Sequence, residues 1–126
     1  MLTDTLRVLG SEHPDTLTVR HSLAVSRGEA GDTSGAGADF EQLLPDMLRV
    51  LGPDHPDSLT TRNDLAYSRG KAGDVAGAVA AYEQLLTDQE RVLGHDHPDT
   101  LCTRHNLAHW QAREAGEAVA HEATDS

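Results

Sequence analysis

The tetrapeptide Arg-Val-Leu-Gly stands at residues 7–10, 49–52 and 91–94, so the chain repeats itself every 42 residues. Each copy runs through an acidic residue into His-Pro-Asp, then Thr or Ser, then Leu: SEHPDTL, PDHPDSL and HDHPDTL. Self-similarity at this period means stacked supersecondary units, each burying its apolar face on its neighbours instead of on one central core. Stacks of this kind offer long surfaces to partners and seldom carry chemistry.

Composition narrows the surface's possible partners. A net charge of −11 disfavours nucleic acid, which needs clustered Lys and Arg, and it disfavours anionic membrane surfaces. No apolar run approaches the roughly 18 residues of a membrane span, and MLTDTLRVLG lacks the basic-then-apolar order of a leader. The single Cys102 cannot form an internal disulfide, which suits a reducing, cytoplasmic location. With one Trp, one Phe and two Tyr the chain has no large aromatic core, but thin helical layers need none.

Periodicity inside each unit is helical. In 75–93 the apolar residues Val75, Ala78, Val79, Tyr82, Leu85, Leu86 and Val92/Leu93 recur at steps of three and four, one face of a helix B. A narrower stripe, Leu59, Leu65, Ala66 and Ala72, marks helix A over 56–72. Punctuation agrees with both. Gly31 and Gly73 suit the left-handed end of helix A, and Asp32 and Asp74 follow as N-caps of helix B. Gly10, Gly52 and Gly94 end the B helices, and Pro14, Pro56 and Pro98 fit the first turn of the A helices.

The expected order is B0 (2–10), A1 (14–30), B1 (33–51), A2 (56–72), B2 (75–93) and A3 (98–115). As repeats this reads as a partial unit 1–10, full units 11–52 and 53–94, an incomplete unit 95–115 and a degenerate tail 116–126. The tail lacks the apolar residues of a third B helix, and the chain reads as a section of a longer array. Pro45 falls inside B1, where a missing hydrogen bond and a steric clash cost about 3 kcal/mol, so a kink or break is expected near 44–45.

The 42-residue helix–turn–helix unit resembles the tetratricopeptide repeat, in its kinesin-light-chain-like variety. The resemblance rests on the His-Pro loop and on RHSLA (20–24), RNDLA (62–66) and RHNLA (104–108), which match that family's "NNLA" segment. It also rests on the small and aromatic positions Ala66, Gly73, Ala78 and Tyr82, repeated as Ala24, Gly31, Ala36 and Phe40. HEAT-like repeats have a similar length, but these Gly and Ala positions favour the tetratricopeptide reading. One departure is that the aromatic usual three residues after the Leu-Ala pair is replaced by Arg27, Arg69 and Gln111. The resemblance implies an all-α solenoid of stacked antiparallel hairpins, wound as a right-handed superhelix, with the A helices lining a concave groove that binds protein or peptide. The groove stripe would then hold Thr18, His21 and Val25 on A1, Thr60, Asn63, Tyr67 and Lys71 on A2, and His105 and His109 on A3.

Other constellations carry less. His105 and His109, four apart on one helix face, could share a metal ion, but two ligands fall short of a structural or catalytic site. His13, His55 and His97 lie one unit apart, which leaves them packing or hydrogen-bonding in their loops. Cys102 beside His105 has no third orienting group and no oxyanion donors. The arginine ladders 7/49/91, 20/62/104 and 27/69 would repel unless paired, with Asp15, Asp57, Asp99 or the acids at 12, 54 and 96 as expected partners. No cofactor is expected.

Three functions follow in order of preference. The first is a non-enzymatic scaffold or sensor module binding a peptide in the A-helix groove, as a section of a larger regulatory protein. The second is a self-associating module stacking head to tail, B0 of one chain on A3 of the next, as a homo-oligomer. The third is a weak metal site on the His pair.

Overall fold

The computed structural model describes residues 14–125, with side chains through residue 117. Five helices follow in order: α1 (Pro14–Glu29), α2 (Thr33–Val50), α3 (Pro56–Lys71), α4 (Val75–Val92) and α5 (Pro98–Asp125). No strand occurs among the described residues. Helices α1, α3 and α5 are the expected A helices, and α2 and α4 the B helices. Each packs on the helix before it and the helix after it. That is a solenoid, whose interior is a series of thin layers. The expected B0 lies outside the described residues.

One residue makes each hairpin turn. Gly31 and Gly73 take φ of 103° and 105°, a conformation costly to any residue with a Cβ. This returns the Asp32 N–H to the Arg27 carbonyl at 3.0 Å and the Asp74 N–H to the Arg69 carbonyl at 2.9 Å. The same aspartates then open the next helix, accepting from the Gly35 and Gly77 N–H at 2.9 and 3.0 Å. The Asp32 carboxyl is held below the usual carboxylate range by the Gly35 N–H and then by Arg27.

The two described His-Pro-Asp loops work by hydrogen bonding, and His13 lies outside the described residues. His55 caps α3, its Nδ1 accepting the Asp57 N–H at 3.1 Å, and His97 accepts the Asp99 N–H before α5 at the same distance. An accepting Nδ1 carries no proton, which fixes the ring's tautomer.

Two expectations about helices are corrected. Helix α2 is continuous over Thr33–Val50 with Pro45 inside it, so of the expected kink or break it is the break that does not occur. Pro45 is exposed while its neighbours Leu43 and Met47 are buried on the inner face. Packing on both α1 and α3 holds the helix together across the missing N–H. Helix α5 likewise runs on to Asp125 instead of ending near 115. Its stop signal is absent: the Gly-Asp pair of the two earlier hairpins is replaced by Ala115-Gly116, which supplies neither turn nor cap.

Arginines pair mainly across hairpins. Arg20 reaches Asp46 and Arg62 reaches Asp88, both at 2.7 Å and both 26 residues apart. These partners on the B helices replace the expected loop acids. Only Arg91, at 2.9 Å from Asp54, keeps one of the expected loop partners among the described pairs. Arg20, then Arg49, hold the Asp46 carboxyl below its ordinary range, and Arg91 does so for Asp54. Arg27 bonds Asp32 and Asp39 at the first hairpin.

The larger core cluster lies between α3, α4 and α5 and includes Leu59, Ala66, Val79, Tyr82, Leu85 and Trp110. Burial, and next the negative field of Asp64, push the Tyr82 phenol far above its ordinary value. Ionising it favours the unfolded chain. Stability from this group is therefore complete below about pH 10 and is lost at about 1.4 kcal/mol per unit as pH rises. Urea melts at pH 9 to 11 are expected to fall more steeply for the native chain than for Tyr82→Phe. Parallel curves would contradict this.

Candidate partner-binding groove

The A helices α1, α3 and α5 lie side by side, joined by a repeated bond one unit and one residue apart. His21 Nε2 lies 2.8 Å from an Asp64 carboxylate oxygen, and Asn106 donates to the Asn63 side-chain carbonyl at 3.3 Å. Residues 21 and 63 are equivalent, as are 64 and 106, so the same rung occurs twice. Asp64 and Asn106 escape a reading that follows only the stripe at steps of three and four. The signal available was the run Asn-Asp and His-Asn in one column of the repeat.

The nine stripe residues divide into groups. Thr18, His21 and Thr60 meet in a small cleft of about 80 Å³, with Met47 and Asp57. His21 is half-buried, its ring tilted 5.6 Å from Phe40, so it braces two units as well as facing the groove. Val25 and Tyr67 meet further along in an indentation of about 270 Å³. Lys71 holds its ammonium 5.9 Å from the Tyr67 ring, a cation–π arrangement. Asn63 is engaged with Asn106, and its backbone carbonyl accepts the Tyr82 hydroxyl at 3.3 Å. His105 is exposed, and His109 stands edge-on to Trp110 at 5.0 Å.

Among the described residues no group of three or more His, Cys, Asp or Glu is placed to hold a metal ion, so His105 and His109 gain no third ligand. Cys102 is exposed, with the Asn106 amide 3.8 Å from its sulfur. No helix among the described residues is long and apolar enough to cross a membrane.

Trp110 is the residue that sequence reading passed over. It is 1% exposed, lies edge-on to Tyr67 at 6.2 Å, and carries Arg113 over its ring at 5.4 Å. A Cβ on Gly70 would fall 2.7 Å from the indole, so the ring lies directly on the α3 backbone.

Comparison with known proteins agrees with this architecture. The tetratricopeptide repeat profile matches residues 16–57 and 58–99, two successive 42-residue spans. Two solved structures of nearly identical TPR-like repeats, from a putative kinesin light chain of Podosopora anserina (one of them a point variant), superpose with TM-scores of 0.80. Both are 30% identical and match 98% of this chain. The match spans only 62% and 63% of those longer chains, less than two thirds of their length. No curated protein matches. Repeats of this type generally mediate contacts between proteins. Two profile matches in register, on a stack of helical hairpins that superposes on solved examples, make the chain a member of the tetratricopeptide repeat family, of the kinesin-light-chain-like variety.

Proposed function

We propose that the chain is a non-enzymatic binding module, a scaffold or sensor section of a larger cytoplasmic regulatory protein, that holds a protein or peptide segment along α1, α3 and α5. The observation that carries this reading is the division of labour between helices. The B helices turn Phe40, Leu43, Met47, Tyr82 and Leu85 into the core. The A helices leave Thr18, Thr60, Tyr67, Lys71, His105 and His109 exposed along one face, beside two indentations. A face of mixed hydroxyl, imidazole and phenol groups suits the backbone and side chains of an extended or helical peptide. Backbone amide shifts recorded with a peptide library should move along Lys71, His105 and His109. Shifts confined to the B helices would overturn the reading.

A second reading, self-association, is favoured by two leucines. Leu101 is 47% exposed, whereas its equivalents Leu59 and Leu17 are buried. Leu23 is also 47% exposed, whereas Leu65 and Leu107 are buried. They lie on α5 and α1, the two outermost described helices, and would be covered by head-to-tail stacking. Light scattering over a concentration series tests this: self-association should be weakened by Leu101→Asp, and a strict monomer would remove the idea.

A further inference from the structure

The nest of Trp110 has a copy one unit earlier in the chain, and that copy is vacant. In the filled nest the indole lies over Gly70, between Tyr67 and the cluster of Ala66, Ala78 and Tyr82. Subtracting 42 residues gives Gly28, Val25, Ala24, Ala36 and Phe40, which line the indentation of about 270 Å³. The position equivalent to Trp110 is Ser68, also a lining residue. Gly37, in place of Val79, lies against Ser68 with no side chain of its own. The walls are kept from one layer to the next while the ring is replaced by a hydroxymethyl group.

Charge changes with the vacancy. In the layer of the filled nest, positions 71 and 106 are Lys and Asn, with the Lys71 ammonium 5.9 Å from the Tyr67 ring that both nests share. Beside the open one the same two positions are Glu29 and Asp64, both lining it. Asp64 keeps its carboxylate beside the His21 ring, and no Lys or Arg lines the indentation. The volume lies below the roughly 300–1,000 Å³ of whole-ligand pockets, the scale of one side chain.

We propose that this indentation is a socket for a single large aromatic side chain carried by a cationic peptide segment. The ring lies over Gly28 as Trp110 lies over Gly70, and the flanking positive charge meets Glu29 and Asp64. This rests on the groove reading and names the class of its partner.

The test uses fluorescence anisotropy of a labelled peptide whose central Trp is flanked by Arg and Lys. One twin has Ala for Trp, and another has Glu at each basic position. The basic Trp peptide should bind the native chain, and both twins should bind at least about tenfold more weakly, the loss expected of a buried aromatic anchor and of reversed charge. Ser68→Trp should fill the socket from within and weaken binding by at least about tenfold, without lowering the melting temperature. Glu29→Lys, an exposed change, should weaken the basic peptide and strengthen the acidic twin even if the Trp variant fails to fold. Equal binding of the Ala twin, tighter binding of the acidic twin, or unaltered binding by a folded Ser68→Trp protein would each overturn the socket. So would no binding of the basic Trp peptide to the native chain. Library shifts at His105 and Lys71 that persist in Ser68→Trp would keep the groove reading while the socket fails. Absence of library shifts in the native chain would remove the groove reading.

Discussion

Replacing Trp110 with Ala is expected to lower the free energy of unfolding by about 3–5 kcal/mol, the range for deleting a fully buried indole. The side chain is 1% exposed, touches the α3 backbone at Gly70, and closes the cluster that also holds Tyr82 and Leu85. A domain of this size has about 5–15 kcal/mol in total, so the variant should unfold at much lower urea. Circular dichroism during urea denaturation measures this directly. A loss under about 1 kcal/mol would mean that α5 contributes little to the stack.

Two glycines in one column of the repeat should respond to Ala with opposite signs. A Cβ on Gly70 would sit 2.7 Å from the indole, a 1% exposed ring packed in the core cluster, so the methyl has to displace buried atoms. Overpacking of this kind costs about 1–3 kcal/mol, more than the roughly 1 kcal/mol that Ala gains over Gly within a helix. At Gly28 the same methyl would meet only the Ala36 Cβ, at 3.4 Å, an ordinary contact. Gly28→Ala should therefore stabilise by up to about 1 kcal/mol and Gly70→Ala should destabilise. Thermal melts of the two variants beside the native chain decide the matter. Shifts of the same sign would show that the indole does not set the difference.

How much of this was legible beforehand follows from what repeats and what does not. Helix order, the Gly-Asp hairpins and the His-Pro-Asp loops recur in register, and each has a local mechanism that one unit's sequence already contains. The bonds Arg20–Asp46 and Arg62–Asp88 were not legible. They join residues 26 apart that meet only after the hairpin closes, and nearer loop acids were equally plausible partners. Pro45 does not break its helix because the cost was reckoned for a lone helix, whereas α2 is clamped on both sides. The tail misled differently: it lacks an apolar stripe, but EAGEAVAHEA is rich in strong helix formers and has no Gly-Asp stop.

The open indentation was the hardest to foresee, because it is defined by an atom group that is not there. Comparing the column 27/69/111 finds arginines where a family aromatic is usual. The informative column lies one residue earlier, where Ser26 and Ser68 are followed by Trp110 as the third member. Sequence alone gives no reason to treat a serine as a missing ring until the walls around it are known.

The duplicated rung on the inner face, His21 with Asp64 and Asn63 with Asn106, has a consequence for how one layer can differ from the next. It ties adjacent layers together by bonds between A helices, separate from the indole itself. If the socket proposal holds, the residue in the column of Ser68 and Trp110 decides whether a layer's nest is filled from within or left open. Within this one chain the two states already stand side by side, a sealed berth under Trp110 and an open one beside Ser68.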